Sequence, residues 1–376
     1  MAIVDFHKVA LPPLGFPKAE SLGTAFPAPA SRSRTSRSRI GRLLGVQIVG
    51  VGSAVPEQRV RNEDLAALGY DADWILQRTG ITERRHAPAG MATSDLATAA
   101  ARNCIAASGV DPSDIDLVLL ATFTPDMLCP STAGIVQDKL GLCAPAMDIS
   151  AACASFAFAL LTGSQYIATG CSQRVLVIGA DCNSRIVNPA DKQTYPLFGD
   201  GAGAVLLAPG NAGGGGNDPF SLAQGILAYS AGSEGSGAGL ICRPMGGTRE
   251  PFTTALESQD RQFLQMDGRP VFKWAIRLLK ETTADVLAAA ELGLEDIDLV
   301  VFHQANMRII HAAAEELGID PCKFFNNVDR YGNTSSASIP LALDEAYRQG
   351  RIQAGDNILF SGFGAGLAWG TLLIRW

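Results

Sequence analysis

Four short segments of this 376-residue chain carry the residue types best suited to covalent chemistry. The first is Ala151-Ala-Cys-Ala-Ser-Phe-Ala-Phe-Ala-Leu160. Here a strand-like stretch, Ala146–Ile149, runs through small residues into a helix that is apolar on all sides and therefore buried. Cys153 falls in the first turn of that helix, where unpaired N–H groups and the positive end of the helix dipole favour a thiolate. A core cysteine has the same signature. The second segment is Val300-Val-Phe-His-Gln-Ala-Asn306, where His303 closes an apolar strand. A histidine there faces a cleft as acid, base or hydrogen-bond donor, or sits satisfied in the core. The third is Tyr331-Gly-Asn-Thr-Ser-Ser-Ala-Ser-Ile-Pro340, with Asn333 in a turn before a helix, the ordinary place of an N-cap. The fourth, Ser361-Gly-Phe-Gly-Ala-Gly-Leu-Ala-Trp-Gly370, is a glycine-rich turn that can offer backbone N–H groups to an oxyanion.

Other chemistries lack their residues. Neither the fourth segment nor Gly199-Asp-Gly-Ala-Gly203 opens a βαβ unit with an acidic ribose partner, so no dinucleotide fingerprint is present. There is no G-x-x-x-x-G-K-[ST] and no G-x-S-x-G. The eight cysteines (104, 129, 143, 153, 171, 182, 242 and 322) form no C-x-x-C pair, and the four histidines form no H-E-x-x-H. We therefore expect free thiols in a reducing compartment and no metal.

The elements that must position these groups follow an internal repeat. Asp114-Ile-Asp-Leu-Val118 recurs as Asp296-Ile-Asp-Leu-Val300. Each copy follows a helical pattern, Ser94–Gly109 and Val271–Gly293, and opens a buried strand, Leu117–Thr122 and Leu299–His303. Each then leads to a small or polar cluster opening an apolar helix, at Cys153 and at Asn333, and to another strand, Arg174–Gly179 and Asn357–Gly362. Alternating apolar strands and helices indicate α/β layers, and their tandem duplication predicts two similar halves packed face to face. In that arrangement Asn333 holds about the place of Cys153, and the two helix starts converge with His303 near a pseudo-twofold axis. The halves are expected over 46–215 and 216–376, with Gly210–Gly247 as a loop-rich connection.

Residues 1–45 carry seven basic residues against Asp5 and Glu20, a net +5, which leaves −12 on the rest of a chain whose total is −7. This head is expected to be disordered, and its Arg/Ser-rich stretch from Ser31 to Arg42 has the composition of a transit peptide or of a solvated tail. Location is accordingly expected to be cytoplasmic, with a plastid as the alternative. An acidic chain argues against a nucleic-acid partner, and the absence of 18 successive apolar residues argues against a membrane-spanning helix.

Together the four segments resemble the thiolase-fold condensing enzymes, specifically the beta-ketoacyl-[acyl-carrier-protein] synthase III family, from about residue 46 onward. The resemblance implies an α/β thiolase-like fold of two duplicated halves in a five-layered α-β-α-β-α body, a homodimer, and no cofactor. It implies acylation of Cys153 by acyl-CoA, then decarboxylative condensation with malonyl-acyl carrier protein to give a 3-oxoacyl-carrier, CoA and carbon dioxide. His303 and Asn333 would hold the malonyl thioester, and the backbone N–H groups of Cys153 and Ala365 an oxyanion. Trp74, Arg78, Lys192 and Asn306 match the coenzyme A entrance; Gln304, Ala305, Asn306, Met307, Arg308 and Lys273 match the carrier contact. Cys129 stands where acetyl-specific members carry a bulky Phe, which predicts room for a longer or branched primer. Lys192 replaces an arginine, and Glu315 and Glu316 stand where some members have lysines. The alternative within the class is a relative priming a polyketide or other specialised pathway. A papain-like Cys/His/Asn hydrolase would leave the duplication unexplained.

Overall fold

The computed structural model describes residues 38–210, 224–254 and 256–376. In chain order its first part runs β1 (Arg39–Leu44), β2 (Val46–Ala54), β3 (Arg59–Arg61), α1 (Ala72–Thr79), β4 (Glu83–Arg85) and α2 (Thr93–Ser108). It continues through β5 (Leu117–Ala121), α3 (Thr132–Leu140), β6 (Ala146–Ile149), α4 (Ser155–Ala168), β7 (Val175–Cys182) and β8 (Asp200–Pro209). The second part holds β9 (Gly225–Ser233), β10 (Ile241–Cys242), β11 (Gln265–Met266), α5 (Gly268–Ala290), β12 (Leu299–Phe302) and α6 (Met307–Leu317). It ends with α7 (Val328–Tyr331), α8 (Ser338–Arg348), β13 (Asn357–Gly364) and β14 (Ala368–Arg375).

Two five-stranded sheets share one pattern. The first has the order β2-β8-β7-β5-β6 and the second β1-β9-β14-β13-β12. β5 is parallel to β6 and β7, while β8 is antiparallel to β7 and β2. Likewise β12 is parallel to β13, and β14 is antiparallel to β13 and β9. A single parallel bridge from Val300 to Phe324 stands where β6 stands in the first sheet. The repeated Asp-Ile-Asp-Leu-Val has a physical role in both copies. Its second aspartate accepts an N–H at or just before the start of the neighbouring strand: Asp116 from Gln173 at 2.6 Å, two residues before β7, and Asp298 from Asn357 at 2.8 Å, the first residue of β13. The isoleucines between the aspartates, Ile115 and Ile297, are buried beneath.

Strand periodicity builds the layers, because successive side chains point to opposite faces. Leu117, Leu119 and Ala121 of β5 join Phe156 and Leu160 of α4 and Ile339 and Leu343 of α8 in a central layer. Val118 and Leu120 face outward onto Leu96, Ala100 and Val136 of α2 and α3. In the second sheet Leu299 and Val301 reach the central layer, whereas Val300 and Phe302 pack on α5 and α6. The result is the five-layered α-β-α-β-α body that the resemblance implies, with α4 and α8 enclosed between the sheets. Each fully buried aliphatic or aromatic side chain contributes about 1.5–3 kcal/mol.

Two segments differ from expectation. Arg39–Leu44, assigned above to a disordered head, is an edge strand antiparallel to β9. Its backbone pairing and the Arg42 contact with the Ala289 carbonyl and with Glu291 at 3.6 Å order it, although Ile40 and Leu44 stay exposed. Gly225–Ser233, assigned to the connection, is β9 and pairs on both sides, its small residues fitting a strand buried between neighbours. The 215/216 boundary and residues 1–37, with most of the Arg/Ser-rich stretch, lie outside the described residues. Among the described residues no helix is long and apolar enough to cross a membrane. Nor, among them, does any group of three or more His, Cys, Asp or Glu offer a metal site.

Candidate active site

Both central helices begin the same way. A one-turn 3-10 helix, Ala152–Ala154, leads into α4, and Ser335–Ala337 leads into α8. The first residue of each turn is left-handed, Ala152 at φ 48° and Ser335 at φ 53°. The counterpart of Cys153 is therefore Ser336; Asn333 lies three residues earlier, which corrects the equivalence read from spacing. The two turns meet across the pseudo-twofold, and glycine permits the approach. A Cβ on Gly179 would sit 2.3 Å from the Ser336 carbonyl oxygen, and one on Gly364 2.8 Å from Cys153 Cβ.

Cys153, His303 and Asn333 all line one cavity of about 900 Å³, together with Phe363, Gly364 and Ala365. Burial pushes the Cys153 thiol up to about 12, opposed chiefly by a hydrogen bond from Ser335 Oγ at 3.3 Å. Desolvation thus outweighs the helix-start effect expected from position alone. Asp181, at the end of β7, is a buried carboxylate that ties the halves together. One oxygen accepts from Thr122 Oγ1, the Phe123 and Thr124 N–H groups and Thr124 Oγ1; the other accepts from Ser336 N–H and Oγ.

His303 is 1 % exposed, and burial pushes its pKa down to about 3, so the imidazole is neutral. Its Nδ1 lies 2.7 Å from Ser338 Oγ, the first residue of α8. The same oxygen accepts the Gln304 N–H at 3.4 Å and keeps a second lone pair, so it can give its hydrogen to Nδ1 or accept one from it. When the hydroxyl donates to Nδ1, the ring hydrogen lies on Nε2 and His303 is a donor toward the cavity. The Phe363 ring meets the imidazole edge-on, 5.3 Å between centroids. Asn333 is held by its backbone, N–H to Leu197 and C=O from Gly199, and its Oδ1 accepts the Ser335 N–H at 2.8 Å. That bond closes a local turn; α8 begins five residues later, so Asn333 is no cap of that helix. With Oδ1 so engaged, the amide NH2 is the group presented to the cavity. Two neutral donors, Nε2–H and Nδ2–H, suit a carbonyl oxygen that gains negative charge.

The mouth is basic. Trp74 is exposed at the rim with the Arg78 guanidinium 5.5 Å from its ring centroid, and Lys192, Lys273 and Arg308 also line the opening. Lys192 lies over the Tyr70 ring at 6.0 Å. Ala305 and Asn306 line the opening too, though Asn306 Oδ1 caps α6 through the Arg308 N–H. Arg243 and Arg269, which motif reading did not find, add two cations. Arg243 follows a two-residue strand and Arg269 precedes a proline at the start of α5, and neither has a periodic signature.

Three expected contacts fall elsewhere. Gln304 is 1 % exposed and its amide is spent on Phe302, Asn327 and Val328 backbone, so it cannot reach a docked carrier. Met307 packs into the apolar cluster with Ile81 and Val328, against Gly80. Cys129 is exposed in the β5–α3 loop and is absent from the lining of its own chain's cavity.

Comparison with known proteins gives this geometry a family. Residues 147–224 match the model of 3-oxoacyl-[acyl-carrier-protein (ACP)] synthase III, and residues 287–376 the model of its C-terminal region. A beta-ketoacyl-[acyl-carrier-protein] synthase III of Rhodopirellula baltica is 55% identical over 345 residues, 90% of this chain and 100% of that protein. One of Clostridioides difficile is 45% identical over 88% of this chain and 98% of its own length. Among solved structures, the Thermus thermophilus synthase III superposes with a TM-score of 0.79 at 39% identity, covering 88% of this chain and 98% of that one. The priming beta-ketosynthase of the R1128 polyketide pathway does so at 0.78 with 33% identity, covering 90% and 98%. The shared length and identity show that this chain belongs to the beta-ketoacyl-[acyl-carrier-protein] synthase III family.

Proposed function

We propose that Cys153 takes an acyl group from acyl-CoA and passes it to a malonyl unit on an acyl carrier protein, so that the chain initiates fatty-acid synthesis as a condensing acyltransferase. The observation that carries this reading is the placement of one thiol and two neutral donors, Cys153, His303 and Asn333, on one cavity whose mouth is basic. In the first half-reaction Cys153 sulfur attacks the thioester carbonyl and coenzyme A leaves. The N–H groups of Cys153 and Ala365 hold the oxyanion. In the second, His303 Nε2–H and Asn333 Nδ2–H bond the malonyl thioester oxygen as carbon dioxide departs. The resulting enolate carbon attacks the acyl carbonyl on Cys153. A donor aimed at such an oxyanion is typically worth ~3–4 kcal/mol. Decarboxylation generates the carbon nucleophile, so the reaction calls for no cofactor.

The cations at the mouth suit the phosphates of coenzyme A and the acidic surface of a carrier protein, with Trp74 as a stacking face for adenine. We assign these contacts to Trp74, Arg78, Lys192, Arg308 and Lys273. We also propose a homodimer through the outer edge of β6, which is a sheet end beside exposed Met127, Leu128 and Met147. An unpaired edge flanked by exposed apolar side chains is a pairing surface. Pairing there would carry the Cys129 loop toward the second subunit, where its small side chain would leave an acyl pocket open. The bacterial relatives support a cytoplasmic location.

Intact-protein mass spectrometry with a panel of acyl-CoAs, followed by malonyl-carrier protein, tests the reading. Acetyl, alone or together with short or branched acyl groups, should appear on Cys153 and be discharged by the malonyl thioester as 3-oxoacyl-carrier. Absence of any acyl adduct on Cys153 would overturn it. Labelling only by long or branched groups would move the assignment toward the specialised priming that the polyketide relative performs.

A further inference from the structure

Apart from the three groups assigned above, one more side chain touches a reacting atom. Ser335 Oγ lies 3.3 Å from Cys153 Sγ. The residue is fully buried, so this contact is not a surface hydroxyl passing near a thiol. Its position is enforced from three sides. The Ser335 N–H bonds Asn333 Oδ1 at 2.8 Å, the adjacent Ser336 is fastened to Asp181 through N–H and Oγ, and Gly179 admits the Ser336 carbonyl. The backbone of Ser335 is left-handed at φ 53°, a conformation costing a non-glycine residue on the order of 1–2 kcal/mol. Strain retained beside a nucleophile is a reason to ask what the side chain does.

We propose that the Ser335 hydroxyl is a catalytic hydrogen-bond donor to the Cys153 sulfur, stabilising it as a thiolate when it attacks acyl-CoA and again when it leaves the condensation intermediate. The proposal rests on Cys153 being the acylated nucleophile. In acylation the Sγ–carbon bond forms, the bond from that carbon to the coenzyme A sulfur breaks, and the proton lost from Cys153 is matched by one gained on coenzyme A. In condensation the carbon–carbon bond forms, the Sγ–carbon bond breaks with its electron pair returning to sulfur, and solvent supplies the proton that restores the thiol. Ser335 keeps its own proton throughout.

The electrostatic surroundings leave this role open to Ser335. The titratable groups around Cys153 are Asp181 on β7, whose charge opposes a thiolate, and His303 at the end of β12, which is neutral. The adjoining start of α4, the β13 strand and the Ser335 turn bring none. Among the influences on the thiol, the Ser335 bond is the largest that favours ionisation. A charge-assisted hydrogen bond of this kind is about twice as strong as a neutral one.

The test is the rate of Cys153 alkylation by iodoacetamide from pH 7 to 9.5, read by peptide mass spectrometry, in the wild type, Ser335→Ala and Ser335→Gly. Glycine accepts φ 53° without strain, so it separates the hydroxyl from the backbone. Below its midpoint, thiolate rises tenfold per pH unit, so the proposal predicts both variant profiles displaced downward by about tenfold, equivalent to about one pH unit. A merely structural role would loosen the site, admit water and displace them upward. Profiles that coincide with the wild type, move upward, or fall only in the alanine variant would overturn the proposal. A wild-type Cys153 that alkylates normally yet accepts no acyl group from acyl-CoA would refute the reading of the preceding section.

Discussion

Replacing Ser338 by alanine tests how His303 is made a donor. Ser338 Oγ accepts the Gln304 N–H and lies 2.7 Å from His303 Nδ1, and the donor role of Nε2 requires that the hydroxyl give its hydrogen to Nδ1. Without it Nδ1 is a buried acceptor with no partner, and the ring is free to take the tautomer whose Nε2 has no hydrogen. Leaving a buried polar group unpaired costs about 1–3 kcal/mol, and 1.4 kcal/mol is tenfold, so malonyl-carrier decarboxylation should fall by about 5- to 150-fold. The assay is carbon dioxide release from malonyl-carrier protein, alongside mass-spectrometric acylation of Cys153 by acyl-CoA. Acylation uses neither Nε2 nor Nδ1 as donor and should fall much less. Decarboxylation at the wild-type rate, or equal losses in both half-reactions, would refute the tautomer argument.

Three other outcomes follow from the same geometry. Asp181→Asn puts an amide NH2 in place of one of two oxygens, one accepting N–H and O–H donors from the first half and the other from the second, so urea unfolding should show a loss of at least ~2 kcal/mol; an unchanged midpoint would contradict the stapling role. His303 has a folded pKa of about 3, below its unfolded value, so the unfolded chain binds more protons and this group costs stability as pH falls from about 6.5. His303→Gln should therefore lose less stability than the wild type between pH 6.5 and 5.5, by about 1 kcal/mol, as compared by denaturant titration at each pH. Arg269→Ala should raise KM for acyl-CoA by about 3- to 30-fold with little change in kcat, because it would remove a phosphate contact made equally in ground and transition states; an unchanged KM would take Arg269 out of the binding set.

The parts of the site that could be read from sequence were those announced by a change of pattern. His303 closes an apolar run, Cys153 and Asn333 stand where small or polar residues open apolar helices, and the repeated Asp-Ile-Asp-Leu-Val marks equivalent strand starts in both halves. The groups that tune them gave no such sign. Asp181 closes an apolar strand, and Ser335 and Ser338 lie in a run of serines; each acquires its role only when two turns distant in sequence meet. Gln304 shows the opposite error, since a polar residue beside the histidine turned out to satisfy the backbone before α7. Arg39–Leu44 was hidden by its charge, because an edge strand needs only one partner and keeps its outer side chains in water. β9 was hidden by its glycines and small residues, which suit a strand pressed between neighbours as well as they suit a loop.

The central claim is a division of labour: Cys153 carries the acyl group, and His303 with Asn333 activates the malonyl thioester. Following the two half-reactions separately in Cys153→Ala and Asn333→Ala tests it most directly. Cys153→Ala should take no acyl group and form no 3-oxoacyl product while still releasing carbon dioxide from malonyl-carrier protein. Asn333→Ala should still be acylated at Cys153 but should lose decarboxylation. Full condensation by Cys153→Ala, or acylation and decarboxylation lost together in Asn333→Ala, would contradict it.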